Sequence, residues 1–370
     1  MNPRALCMAG DLILFRVAIA TGCLRLFRYS PLPWREYFVY RAEPNRATLE
    51  LLPGVPNGGL FFHDSEVGIL PRGNDEFTIA ALVPCAPCRD KFELLLFHSS
   101  SKARSWTSMK LSVVGPPKKF PIEVNDRDLD LSLHLTTNVI TVGGEYGTIG
   151  WVDLWRGILF CDVLSEKPKL RAMPVPLPMD HIFGNNGLGR EFGRGVDSRG
   201  IALVNGCLKF VELDLSVTEP MPIIMDHETG CPTLMVHDWT ITTYSNSKTS
   251  CSYEDWRQEG MVRSSEATIN PMVSHSAGGL LLLLPPSHSR EHGEKTAATR
   301  EALLQELLVS EPSPSLGGDG VVYLVARVKM FHPKAWLIAL DMSSNTLQSV
   351  VPFVISEEPD EDANYCTSRH

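Results

Sequence analysis

The chain has 370 residues, 44% hydrophobic and 21% charged, enough apolar material for a large core in a globular protein. Its net charge of -9 argues against the cationic grip that non-specific nucleic-acid binding requires, and against attachment to an anionic membrane surface. No apolar run approaches the roughly 20 residues that a membrane-spanning helix needs. Nine cysteines without framework spacing, and no Asn-x-Ser/Thr acceptor, point to free thiols in a reducing compartment, cytoplasmic or nuclear.

The amino terminus resembles a leader at first sight, but Asp11 and Arg16 interrupt its apolar run, and residues 1–10 are expected to be a disordered start. Order is expected from DLILFRVA, Asp11 to Ala18, which already reads as a strand. Short runs rich in Val, Ile, Leu, Phe and Trp then recur between polar turns. EYFVYRA is followed by ATLELLP; FTIAALVP by FELLLFHS and WTSMKLSVV; TIGWVDL by ILFCDVL and KLRAMPVP. Further on, CLKFVELDL is followed by DWTITTYS and DWRQEGMV, and VVYLVARV by AWLIALDM and TLQSVVPF. Three- or four-stranded antiparallel units repeated about five times predict an all-β, β-propeller-like array of about five antiparallel blades. Its N-terminal blade is a candidate for being incomplete, and a pair of stacked β-sandwiches is the competing architecture.

Within this array the best hairpin is GTIGWVDLWRGILFCDVL, Gly147 to Leu164. With a three-residue loop, Trp151, Leu159 and Cys161 share one face while Val152, Leu154 and Phe160 share the other. Apolar residues on both faces predict an inner strand pair covered on both sides. Gly157 can take the positive φ of a tight loop. Asp153 and Asp162 could be imagined as a general acid and base, but an Asp at a strand end more commonly accepts backbone N–H bonds and steers the turn. Trp151, Asp153, Trp155, Gly157, Cys161 and Asp162 are therefore read as structural, and the tryptophans as space-filling between sheets.

Other chemical motifs fail on their own requirements. Cys85 and Cys88 form a CxxC without a second half-site or a βαβ context. Asp126, Asp128 and Asp130 imitate the start of a calcium loop, but Leu131 and Thr137 occupy the positions of its glycine and bidentate glutamate. The connector Phe183 to Gly200 has Gly187 and Gly189 but lacks the rest of a dinucleotide or phosphate loop. Arg190, Arg194 and Arg199 on that connector are the candidate interaction loop, able to meet an acidic partner surface or a phosphate, against the commoner reading of a solvated loop. Asp226, His227, Glu228, Cys231, His237 and Asp238 are dense in potential ligands but match no metal spacing. No catalytic, cofactor-binding or metal-binding residue is expected. A polar insertion is expected at residues 287–320, with a short helix over Ala298 to Leu308, inside a propeller-like domain covering residues 11–356. An acidic disordered tail is expected over residues 357–370.

Several of these pieces resemble a known family: YFVYRA with LELLP, VGILPR, GWVDLWRGILFCDVL with MPVPLP, RGIALVNGCLKFVEL, and the stretch Val321 to Phe353. Together they are similar to the plant domain of unknown function 1618 (DUF1618), expanded in grasses. The resemblance implies kinship with propeller regions attached to F-box proteins, although no F-box pattern precedes the strands here, and it carries no catalytic residues to transfer. The expected function is a monomeric, non-catalytic protein-interaction module with an unknown protein partner and no cofactor. A carboxylate- or metal-dependent hydrolase, and a ubiquitin-ligase adaptor, are the alternatives.

Overall fold

The computed structural model describes residues 3–19, 34–42, 47–55, 62–73, 75–85, 91–101, 104–114, 134–176, 195–218, 224–231, 233–247, 255–273, 304–329, 332 and 334–354. These residues are almost wholly β. They form five small sheets, each built around four strands consecutive in sequence and paired antiparallel, the blade pattern of a five-bladed propeller.

The chain divides into two compact units: Met1–Gly195 with Lys248–Trp256, and Val196–Ser247 with Arg257–His370. The first holds three sheets: β1(Pro3–Ala9), β2(Leu12–Ile19), β3(Trp34–Arg41) and β4(Thr48–Leu51); β5(Val67–Pro71), β6(Phe77–Pro84), β7(Lys91–His98) and β8(Thr107–Ser112); and β9(Asn138–Gly143), β10(Thr148–Asp153), β11(Gly157–Asp162) and β12(Leu170–Met173). The second holds β13(Arg199–Val204), β14(Cys207–Thr218), β15(Met235–Asn246) and β16(Arg257–Arg263), then β18(Leu308–Pro314), β19(Val321–Arg327), β20(Lys334–Asp341) and β21(Thr346–Val354). The two-residue strand β17(Thr268–Ile269) joins that last sheet parallel to β21. Within the first unit β5 lies against both β1 and β9, and within the second β13 lies against β18, so successive sheets meet through their first strands.

The apolar runs of β6 and β7 are continuous rather than alternating because both faces of their sheet are covered. Ile79, Ala81, Leu95 and Phe97 pack with Leu12, Leu14, Val39 and Trp106, while Ala80, Leu82, Leu94 and Leu96 pack with Ile149, Trp151 and Leu159. A third core in the second unit gathers Val211, Trp239 and Ile241 with Leu324, Ile338 and Leu340. Each fully buried Leu or Ile contributes about 1.5–3 kcal/mol, so these layers dominate the stability of each unit. Four tryptophans combine this packing with a polar anchor. Their indole N–H groups donate to loop carbonyls, Trp106 to Pro53 at 2.9 Å, Trp151 to Glu66 at 2.7 Å, Trp239 to Leu304 at 2.8 Å and Trp256 to Pro174 at 2.8 Å. Large rings thus fill the space between sheets without leaving a buried donor unpaired.

Two expectations about the domain outline are corrected. Pro3–Ala9, expected to precede order, is strand β1, paired with β2 from Pro3↔Val17 to Ala9↔Leu12, so the first sheet has four strands. The expected insertion at 287–320 supplies β18, which completes the last sheet. Val309, Pro312 and Pro314 are buried at alternating positions on either side of an irregularity between Ser310 and Ser313. Pro residues are tolerated there because β18 is an edge strand. Of the helix expected over Ala298 to Leu308, the described end is helical at Leu304 and then leaves the helix, Leu304 and Leu307 entering the core and Leu308 beginning the strand. The tail at 357–370 lies outside the described residues.

Candidate binding cleft

The Gly147 to Leu164 hairpin holds most of the residues singled out in the sequence. Its loop is Leu154-Trp155-Arg156, closed by the pair Asp153↔Gly157, with Gly157 at φ 136. Asp153 is buried and fully engaged. Its Oδ1 accepts from the backbone N–H groups of Trp155 at 2.9 Å and Arg156 at 3.0 Å, and its Oδ2 from the Leu135 N–H at 2.8 Å and the Arg156 guanidinium at 2.7 Å. A carboxylate with this many donors, sealed from solvent, ties the hairpin loop to the segment at Leu135 through three backbone N–H groups and has no oxygen left for a substrate proton. Trp151 is fully buried; Trp155 is partly exposed, and its ring edge approaches Gly195 so closely that an added Cβ there would lie 3.1 Å from Nε1. Cys161 is buried, and burial pushes its thiol up to about 12, which removes thiolate chemistry. Asp162 accepts from the Thr148 hydroxyl at 2.6 Å and from Arg171 at 3.4 Å.

Arg199 does not belong to a solvated loop, which corrects its grouping with Arg190 and Arg194. It is the first residue of β13, buried, and paired with Glu212 at 2.7 Å on the strand beside it. Strand pairing at Arg199↔Glu212 places the two side chains on the same face, so the guanidinium serves the sheet. Arg190, Arg194, Cys88 and the three aspartates at 126, 128 and 130 lie outside the described residues.

The Asp226 to Asp238 stretch separates into local contacts. Asp226 caps its own turn, accepting from the Glu228 and Thr229 N–H groups at 3.0 Å each, and pairs with Lys329 at 2.8 Å. The Lys329 hydrogen bond, with help from the Thr229 amide, lowers its carboxyl to about 2. Glu228 meets Lys329 and His332, each at 3.3 Å. Asp238 instead serves β15, bonding the Trp239 N–H and the Ser264 hydroxyl. Among the described residues no three His, Cys, Asp or Glu side chains converge as a metal site would require.

A cleft of about 490 Å³ opens in the first unit, where Arg72 at the end of VGILPR meets Val163 and Leu164 at the end of the hairpin, a meeting that no motif marked. Arg72, directly after β5, lines it together with His98 at the end of β7, Ser100 and Ser101 in the following connection, and Thr107 and Met109 in β8. Val163, Leu164, Ser165, Glu166 and Pro168, from the connection between β11 and β12, complete it. Its size lies within the range of about 300–1,000 Å³ typical of ligand sites. Backbone bonds hold the rim: Ser99 N–H to Phe77 O at 3.0 Å, Ser101 N–H to His98 O at 3.1 Å and Ser165 N–H to Asp162 O at 3.1 Å.

Electrostatically the cleft is mixed. Arg72 is a third exposed and loosely held, with Glu76 at 3.7 Å and the Ser100 hydroxyl at 3.4 Å. His98 exchanges a hydrogen bond with the Thr78 hydroxyl at 2.9 Å, and burial, reinforced by the Arg72 charge, lowers its pKa below the ordinary histidine value. A neutral imidazole beside a hydroxyl is the pairing that activates nucleophiles. Here the hydroxyl belongs to Thr78, which is completely buried, so no substrate carbonyl can reach it. What the cleft offers is one guanidinium, one carboxylate and several hydroxyls over the apolar floor of Leu96, Met109, Val163 and Leu164. Arg72, His98 and Glu166 come from three separate connections, so no local spacing could have pointed to them.

A family model described as "Protein of unknown function (DUF1618)" matches residues 151–323, from Trp151 in β10 to Tyr323 in β19. No curated protein matches the chain. Among solved structures, a mutant of Trypanosoma rangeli sialidase with trans-sialidase activity aligns at 9% identity and a TM-score of 0.32, over 92% of this chain and 46% of that one. Cellvibrio cellulosa α-L-arabinanase aligns at 9% identity and 0.29, over 95% and 90% of the two chains. Trypanosoma rangeli sialidase in complex with sialic acid aligns at 8% and 0.30, over 90% and 45%. The chain therefore spans about half the length of the sialidases it aligns with.

Proposed function

We propose, from this protein's own residues, that it is a non-catalytic protein-interaction module; the family whose model matches residues 151–323, DUF1618, has a description that assigns no activity. One observation carries the reading. The side chains that sequence or pairing marked for chemistry are engaged in the fold, Asp153 by three backbone N–H groups, Arg199 by Glu212 and Thr78 by His98, while the cleft around Arg72 keeps a guanidinium, a carboxylate and hydroxyls open to solvent. Recognition needs such groups on a rigid frame; turnover also needs a nucleophile or base within reach of the bound molecule.

The partner is a protein rather than nucleic acid or a membrane surface, in line with the net charge of -9, and the working state is a monomer. A reducing compartment, cytoplasm or nucleus, fits the free thiols of Cys7, Cys161, Cys207 and Cys231. No helix among the described residues is long and apolar enough to cross a membrane.

The test is a panel of ester, glycoside and phosphoester substrates offered to the purified full-length protein, with elemental analysis of the same sample. No turnover above a heat-inactivated control is the expected result. Turnover that persists through repurification would overturn the proposal, and stoichiometric metal accompanying it would favour a hydrolase.

A further inference from the structure

The cleft's own chemistry defines what it takes. We infer that the first unit binds a peptide carboxylate there, with Arg72 receiving the anion, the Ser100, Ser101 and Ser165 hydroxyls adding hydrogen bonds, and Glu166 accepting from neighbouring peptide N–H groups. The inference rests on the interaction-module reading and narrows it to a site and a ligand class.

Three observations support it. First, Arg72 is the cation among the cleft's lining residues, and its partners at 3.4 and 3.7 Å are long for a guanidinium, whose charge-assisted bonds run to about 2.7–2.9 Å. An incoming carboxylate can replace both with a short bidentate contact. Second, Glu166 makes no ion pair among the described residues, so the cleft presents an open acceptor as well as an open donor, the two complements of a peptide segment. Third, the floor of Leu96, Met109, Val163 and Leu164 gives the aliphatic part of an acidic residue or of a terminal residue something to rest on. A phosphate fits less well. Its charge of about -1.5 to -2 would face Glu166 with a single guanidinium to balance it. Peptide carboxylates come from two sources, Asp or Glu side chains and the free carboxyl terminus of a polypeptide, and the cleft chemistry is common to both.

His98 reports occupancy directly. Its ring bonds the Thr78 hydroxyl and feels the Arg72 charge, with Glu166 lining the same cleft; burial is the main cause of its lowered pKa and Arg72 the second, so an anion seated on Arg72 removes that second contribution. Nuclear magnetic resonance of ring-labelled histidines in the full-length protein, with the His98 signal assigned by its loss in His98→Gln, is the measurement. Four probes separate the outcomes: N-acetyl-aspartate amide, N-acetyl-alanyl-alanine with a free carboxylate, the same dipeptide as its amide, and N-acetyl-phosphoserine amide.

The expected result is a saturable shift of the His98 signals and a raised His98 pKa with one or both carboxylate probes, and neither effect with the amidated dipeptide. The responding carboxylate tells side chain from terminus. Arg72→Gln should weaken binding at least about tenfold, the loss expected for a hydrogen bond to a charged group. Glu166→Gln should leave binding in place and tighten it, with an unchanged thermal midpoint in each variant confirming the fold. No carboxylate response up to about 10 mM, well above the affinity a small fragment reaches, equal binding by Arg72→Gln, or stronger binding of phosphoserine than of either carboxylate would each overturn the inference. A partner peptide bound with full affinity by Arg72→Gln overturns the site while leaving the interaction module standing. Turnover of a substrate overturns the module itself.

Discussion

Asp153 with Arg156 in the first unit, and Asp226 with Lys329 in the second, are nearly the same contact by distance, 2.7 Å and 2.8 Å. In each the aspartate also accepts backbone N–H bonds from the residues just after it. They differ in surroundings. The side chains of Arg156 and Asp153 are 4% and 2% exposed, against 39% and 17% for Lys329 and Asp226. A buried carboxylate cannot exchange its partners for water, so each bond it makes is obligatory; the exposed one can, and its partners are interchangeable. Distance alone says little about which contact the fold depends on.

The largest effect should follow from Asp153→Ala. It removes the carboxylate that pairs with the buried Arg156 and accepts from the Leu135, Trp155 and Arg156 amides, and loss of one partner from a buried ion pair typically costs about 3–5 kcal/mol. Urea unfolding of the variant checks this, and Asp153→Asn should cost less because its amide oxygen still accepts from the loop. A stability close to that of the parent protein would erase the contrast with Asp226.

A second test uses two buried titratable groups near the same hairpin. Glu66, whose carbonyl receives the Trp151 indole, is raised by burial to about 7, and His134, packed edge-on against Phe92, is lowered by burial to about 4. Neither ring nitrogen of His134 makes a hydrogen bond among the described residues, although the neighbouring Trp151 backbone and Asp153 charge both favour protonation. Folded Glu66 keeps a proton that the unfolded state releases above its ordinary 4.5, so its contribution is whole below pH 4.5 and is lost as the pH climbs to about 7. Folded His134 refuses a proton that the unfolded state takes up below 6.5, so stability falls as the pH drops from 6.5 to about 4. Between pH 4.5 and 6.5 the two slopes oppose each other. Glu66→Gln should therefore make stability rise with pH across that window, and His134→Leu should make it fall, each by roughly 3 kcal/mol over the full range. Urea midpoints measured every half pH unit decide it, and parallel curves for the two variants would contradict the assignment.

Smaller effects should come from the half-exposed member of the same hairpin. Asp162→Asn keeps an acceptor for the Thr148 hydroxyl and loses only the Arg171 charge at 3.4 Å, which predicts about 0.5–1 kcal/mol in the same unfolding assay. Smallest of all, Lys329→Gln should leave the thermal midpoint within error. Its visible consequence should be a carboxyl titration at Asp226, followed by nuclear magnetic resonance, that moves up from about 2 toward the ordinary value.

The second, third and fourth strands of all five sheets were legible in the sequence. Their runs are long and rich in β-branched and aromatic residues, and their partners lie next in the sequence, as with β10 and β11 across a three-residue loop. The strands β1 and β18 were misassigned for opposite reasons. PRALCMA sits before the first strong apolar run, and LVSEPSP carries two prolines and an irregular register that hide its pairing. Arg199 was misplaced because an arginine beside glycines reads as loop; its place in the sheet shows in the strand pairing with Glu212. The cleft was invisible altogether. Arg72 and Glu166 are 94 positions apart in sequence, ordinary polar residues beside strand ends, and nothing local distinguishes them from solvated turns.

Sequence by itself determined what nearest-neighbour pairing can determine: an all-β protein, five antiparallel units, the faces of the Gly147 to Leu164 hairpin and the residues that fill its core. These follow from side-chain alternation and short loops, which act over a few residues. Tertiary structure alone decided which polar groups were buried and which were left open, because desolvation depends on the sheet packed alongside, contributed by residues far away in the sequence. That is why Asp153 became a fixed joint, His134 a neutral imidazole and Arg72 an available cation.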